Sequence, residues 1–156
     1  MKSKAPPSVL FVCLGNICRS PLAEAALRLA ADAAGTSITV DSAGTGDWHV
    51  GDPPDRRAQT IAKRHGADVS QLRARQVEEE DFRRFDLIFA LDQSNLAALH
   101  ATAPFDSTAE IALLMDTVPG REGADVHDPY YGDEADFEVT WDDVSYAARA
   151  LIRRFG

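Results

Sequence analysis

The chain has 156 residues, 45% of them hydrophobic, with a formal net charge of −9, which suits one domain with a substantial core. That acidity disfavours nucleic acid and anionic membranes, whose binding relies on clustered Lys and Arg. Two cysteines, Cys13 and Cys18, disfavour a secreted disulfide framework and exclude a four-cysteine zinc site.

Met1 to Ser8 carries two lysines and two prolines but no apolar h-region, and no apolar run approaches a membrane span. The expectation is a soluble intracellular protein, with residues 1–7 as a flexible extension before a single domain over 8–156. Val9 to Val12 is β-branched and aromatic, as buried strands are, and Ser20-Pro21 reads as a helix start. Between them runs Cys13-Leu14-Gly15-Asn16-Ile17-Cys18-Arg19, a tight glycine-containing turn. Backbone N–H groups at such a strand–loop–helix junction converge on one point, and the helix dipole adds partial positive charge there. The junction is therefore an anion site, with a thiol at one end and a guanidinium at the other. A field that holds phosphate also favours a thiolate, so the chemistry suggested is attack of sulfur on phosphorus.

Further along, Pro21 to Ala34 spaces Leu22, Ala26, Leu29 and Ala33 near a 3.6-residue period, and Gly35 ends it. Ile38 to Asp41 is a short strand candidate leading into Ser-Ala-Gly-Thr-Gly, and Pro54 to His65 reads as a helix closed by Gly66. Leu87 to Leu91 is a strand; Asp92 is placed to cap a helix from Gln93 to Ala101. Ile111 to Met115 is the fourth strand candidate. The last helix puts Phe137, Trp141, Val144, Ala148, Leu151, Ile152 and Phe155 on one face, with Asp133 as its cap.

Strands separated by helices predict an α/β fold, a three-layer sandwich in which helices cover both faces of a parallel sheet. Ligands in such sheets bind at the carboxyl ends of the strands. Four segments are expected to meet there: Leu14 to Arg19, Ser42 to Pro54, the turn at Asp92, and the stretch containing Asp128-Pro129-Tyr130-Tyr131. Taken by residue type alone, Asp128 is either an acid or an Asx–Pro turn residue. Trp48, Tyr130 and Tyr131 are either aromatic walls for a phenyl ring or packing residues, Asp92 either orients the site or only caps, and Ser20 reads as a helix cap. His65 reads as a helix-end histidine.

The run Val12 to Pro21, together with Asp128-Pro129-Tyr130, resembles the low-molecular-weight protein tyrosine phosphatase family. Asp41-Ser42-Ala43-Gly44-Thr45, Asp47-Trp48, His65-Gly66, Arg73-Ala74-Arg75-Gln76 and Asp92-Gln93-Ser94-Asn95-Leu96 follow in the family's order. A bare C-x5-R motif occurs by chance in many proteins, whereas ten consecutive residues with a distant Asp-Pro-Tyr are specific. The resemblance implies a four-stranded parallel sheet, no metal or other cofactor, and hydrolysis of phosphotyrosine through a cysteinyl-phosphate. It makes Cys13 the nucleophile, Arg19 the transition-state binder and Asp128 the general acid and base. Leu14, Gly15, Asn16, Ile17, Cys18 and Ser20 form the phosphate-binding loop, with Ser20 donating to the thiolate and His65 packing near Asn16 and Ser20. Cys18 becomes the redox partner that protects Cys13 from over-oxidation.

Implied partners are phosphotyrosine-containing proteins, tyrosine kinases among them, and phosphate-like anions. The expected state is a cytoplasmic monomer or weak dimer. Other readings on the same scaffold are separable by residue type. Resembling phosphoarginine phosphatases carry threonine where this chain has Ile17. Arsenate reductases pass a disulfide to later cysteines, and none follows Cys18. A phosphotyrosine-binding module without turnover would not need nucleophile, arginine and acid together.

Overall fold

The computed structural model describes residues 6–156. Four parallel strands, β1 (Ser8–Cys13), β2 (Thr39–Gly44), β3 (Leu87–Ala90) and β4 (Glu110–Leu113), form one sheet in the order β2-β1-β3-β4. Central β1 sets Cys13 opposite Gly44 on one side and Val12 opposite Ala90 on the other. Of the expected N-terminal extension, residues 1–5 lie outside the described residues, and the Pro7 carbonyl already accepts from Thr39 N at 2.9 Å.

Alternation along β1 divides the core. Val9, Phe11 and Cys13 point to the face covered by α1 (Arg19–Ala34), α2 (Arg56–Arg64) and α5 (Glu134–Phe155). Leu10 and Val12 point to the other, where Phe82 of α3 (Asp81–Arg84) and Leu99 of α4 (Gln93–Thr102) pack. Both faces of β1 are thus sealed, and each fully buried Leu or Phe contributes about 1.5–3 kcal/mol.

The expected helix ends are present where side chains cap locally. Gly35 closes α1 in the left-handed conformation at φ 66°. Asp92 accepts from Asn95 N, and Asp133 closes a capping box with Asp136. Two expectations shift. The fourth strand ends at Leu113, because Leu114–Thr117 winds into a 3-10 turn in which Thr117 Oγ1 donates to the Leu114 carbonyl at 2.7 Å. The one-turn α3 escapes a periodicity reading because it is four residues long; buried Asp81 holds it by accepting from Glu78 N and from Arg75. No described helix is long and apolar enough to cross a membrane.

Candidate active site

Cys13 ends β1, and the chain folds back over its sulfur. Sγ lies 3.0 Å from Ser20 Oγ and accepts the Asn16 N–H at 3.3 Å. Asn16 has φ 58°, the one positive value outside glycine among the described residues. That conformation costs an L residue of order 1 kcal/mol. Three side-chain hydrogen bonds hold it: Nδ2 donates to Ser20 Oγ at 2.8 Å and Ser42 Oγ at 3.0 Å, and Oδ1 accepts from Arg75 N at 3.0 Å. Beside the loop, a Cβ on Gly44 would lie 2.8 Å from the Leu14 carbonyl oxygen, so only glycine lets β2 approach this closely.

Arg19 opens α1, with its side chain almost fully buried. Nη1 donates to the Val126 carbonyl at 3.1 Å, while Nη2 lies 2.9 Å from Asp92 Oδ2 and 3.7 Å from Asp128 Oδ2. Both readings of Asp92 hold at once, since Oδ1 caps α4 and Oδ2 orients the guanidinium. Asp128 makes the Asx turn, its Oδ1 accepting from Tyr130 N at 3.1 Å, and its Oδ2 faces Arg19. Ser20, by contrast, caps nothing; it is the second residue of α1 and its hydroxyl is spent on Cys13 and Asn16.

Over this floor opens a cleft of about 250 Å³. Cys13, Leu14, Gly15, Ile17, Cys18 and Arg19 line its base, and Asp128 stands with Trp48, Tyr130 and Tyr131 at its sides. Trp48 is 71% and Tyr131 96% exposed, which sets them apart from core aromatics and leaves their faces free for a ligand. The two tyrosine rings meet edge to face at 4.9 Å.

Several neighbours carried no sequence signal. His49 joins the cleft wall beside Trp48. Asp55 caps α2 and donates its backbone N–H to the Ile17 carbonyl at 2.8 Å. Arg57 holds Asp55 and donates to the carbonyls of Tyr130 at 2.9 Å and Gly132 at 3.0 Å. This pair therefore ties the Cys13–Ser20 loop to the tyrosine loop. Burial alone would raise the Asp55 carboxyl, but hydrogen bonds from the Arg57 side chain and backbone hold it below the usual carboxylate range. Cys18 is different. Burial first, then the charges of Asp55, Cys13 and Asp128, pushes its thiol well above the ordinary range, so it stays protonated at neutral pH.

One expected site residue lies elsewhere. His65 is the C-cap of α2; its ring stacks on Trp141 at 5.1 Å and its Nε2 lies 3.0 Å from Glu138 Oε2. It makes no hydrogen bond to Asn16 or Ser20: Asn16 bonds Ser20, Ser42 and Arg75, and Ser20 bonds Cys13 and Asn16. The helix-end reading is the one observed: the chain reverses at Gly66, φ 94°, and turns the imidazole toward α5.

The family model for low molecular weight phosphotyrosine protein phosphatases matches residues 8–156. This chain belongs to that family. The phosphatase is 49% identical over 126 residues to the low molecular weight protein-tyrosine-phosphatase YfkJ of Bacillus subtilis, covering 80% of this chain and 81% of that one. Its fold is similar to the crystal structure of the protein tyrosine phosphatase of Entamoeba histolytica, with a TM-score of 0.89 at 36% identity over 95% and 96% of the two chains. It is also similar to that of the Drosophila arginine phosphatase, with a TM-score of 0.88 at 34% identity over 94% and 96%. The phosphatase is accordingly a hydrolase by family, and its fold is similar to that of these relatives.

Proposed function

We propose that this phosphatase hydrolyses phosphotyrosine in proteins by two transfers through a cysteinyl-phosphate on Cys13. The observation that supports it is the meeting of Cys13, Arg19 and Asp128 in one cleft walled by Trp48, Tyr130 and Tyr131. In the first transfer Cys13 Sγ attacks phosphorus, the bond to the phenolic oxygen breaks, and Asp128 gives that oxygen its proton. Arg19 and the loop N–H groups hold the equatorial oxygens as phosphorus becomes trigonal. In the second, water gives a proton to Asp128 and attacks phosphorus, and sulfur leaves toward the Ser20 hydroxyl. Apart from the attacking water, the groups this route calls for are side chains and amides of the chain itself. The same reading keeps the phosphatase in the cytoplasm as a monomer or weak dimer, with tyrosine kinases among its substrates.

Arginine phosphatase activity is the second reading, favoured by the likeness to the Drosophila enzyme. Ile17 stands in the cleft floor, where its bulk disfavours a guanidinium plane and suits a phenyl ring. Comparing kcat/KM on a phosphotyrosine and a phosphoarginine peptide separates the two. The expected preference is for phosphotyrosine by roughly 10²-fold, and a reversed preference assigns the chain to the arginine class.

Cys13 and Cys18 are also proposed as a redox couple. Peroxide transfers oxygen to the Cys13 sulfur, and the resulting sulfenic acid condenses with the Cys18 thiol, forming a disulfide and releasing water. Wild type treated with peroxide is expected to regain activity with dithiothreitol, and Cys18→Ser to lose that recovery. Equal recovery of the two proteins would remove this role from Cys18.

A further inference from the structure

A line of hydrogen bonds leads from the back of the phosphate loop into the protein. Ser20 Oγ, 3.0 Å from Cys13 Sγ, accepts from Asn16 Nδ2 at 2.8 Å, and the same nitrogen donates to Ser42 Oγ at 3.0 Å. Ser42 Oγ in turn donates to Glu24 Oε1 at 2.8 Å. Glu24 is 2% exposed, and Arg28 grips its other oxygen with Nη2 at 2.9 Å and Nε at 3.2 Å. Arg28 Nη2 is itself anchored on the Val40 carbonyl at 2.8 Å. Nothing in the two-transfer route uses Glu24, Arg28 or Ser42.

The ends of this line settle the place of every proton. Arg75 N–H on Asn16 Oδ1 turns the amide nitrogen toward both serines. An amide nitrogen only donates, so each hydroxyl must accept from it. Ionised Glu24 only accepts, so the single O–H of Ser42 goes to Glu24 and its lone pair faces Asn16. The single O–H of Ser20 is then left for Cys13. Were Glu24 to become a donor, Ser42 would turn its hydrogen onto Asn16, and two donors would meet.

We infer that Glu24, kept ionised by Arg28, is a positioning residue that holds the Ser20 proton on the Cys13 sulfur. This rests on Cys13 being the nucleophile of the proposed function. Three groups face the Glu24 carboxyl: Arg28 from its own helix, and Ser42 and the charge of Asp41 from β2. Burial raises this carboxyl above the usual range, and the hydrogen bonds of Arg28 and Ser42 work against that rise. Arg28 is about half exposed and is the accessible handle on a buried line.

The test is carboxymethylation of Cys13 by iodoacetate, located by tandem mass spectrometry, beside kcat/KM on an aryl phosphate, across pH. Glu24→Gln is expected to slow both about tenfold at mildly acidic pH, the size of one charge-assisted hydrogen bond to sulfur. The deficit closes as pH rises, because the sulfur then ionises in both proteins without the help of that bond. Arg28→Met moves both rates the same way by less. A deficit constant across pH, or no deficit in alkylation, overturns the inference. If Glu24→Gln does not melt as a folded protein, Ser42→Ala and Arg28→Met decide it by the same alkylation readout, and unchanged rates in both overturn it. Wild type that alkylates but does not turn over fails the proposed function instead, while the alkylation comparison still reads the line.

Discussion

Cys13→Ser is expected to lower turnover of aryl phosphates by at least about 10⁴-fold, the scale of losing a nucleophile from a site that otherwise stays assembled. Serine is nearly isosteric, and the position is 4% exposed at a strand end, so the sheet and loop have no reason to move. A hydroxyl in the same place keeps its proton and cannot leave as readily in the second transfer. The loop N–H groups and Arg19 remain, so vanadate should still bind the variant. Rapid mixing of wild type with an aryl phosphate should release a stoichiometric burst of phenol, and Cys13→Ser none. Wild type that binds vanadate without any turnover would make the chain a binding module and end the covalent reading.

Asp128→Asn should cost about 10² to 10⁴ in kcat on a phosphate ester of a weakly acidic phenol. Asparagine keeps an oxygen for Tyr130 N, 3.1 Å from Asp128 Oδ1, so the Asx turn and the tyrosine loop are retained while the proton is lost. The aspartate side chain is 55% exposed, open to both water and the cleft, as a group that must deliver and recover a proton has to be. Esters of strongly acidic phenols leave without help, so their loss should be far smaller. Equal losses across leaving groups would show that Asp128 acts only through Arg19, 3.7 Å away, and not as an acid.

Legibility followed distance along the chain. The turn from Cys13 to Ser20 needs only neighbours in sequence, and its strand, glycine and helix start were readable as an anion site before any packing was known. Asp92 and Asp133 were readable as caps because a cap bonds two or three residues ahead. Glu24, Ser42, Arg57 and Arg75 were not readable, because their partners are far off. Asn16 meets Arg75 59 positions away, and Arg57 meets Gly132 75 positions away. His65 shows the same limit from the other side. Its place at a helix end followed from Gly66, but the face it presents depends on how α2 lies against α5.

The sequence by itself determined the order of elements, the parallel sheet they imply and the placing of Cys13 and Arg19 at the two ends of one turn, because local periodicity and turn chemistry suffice for these. Tertiary structure alone decided which carboxylates reach Arg19, which side chains hold Asn16 at positive φ, and where His65 goes. The first two are contacts among segments that meet at the carboxyl ends of the strands, and the third is a contact between α2 and α5. Their geometry is set by burial on both faces of β1, a quantity no stretch of sequence carries alone.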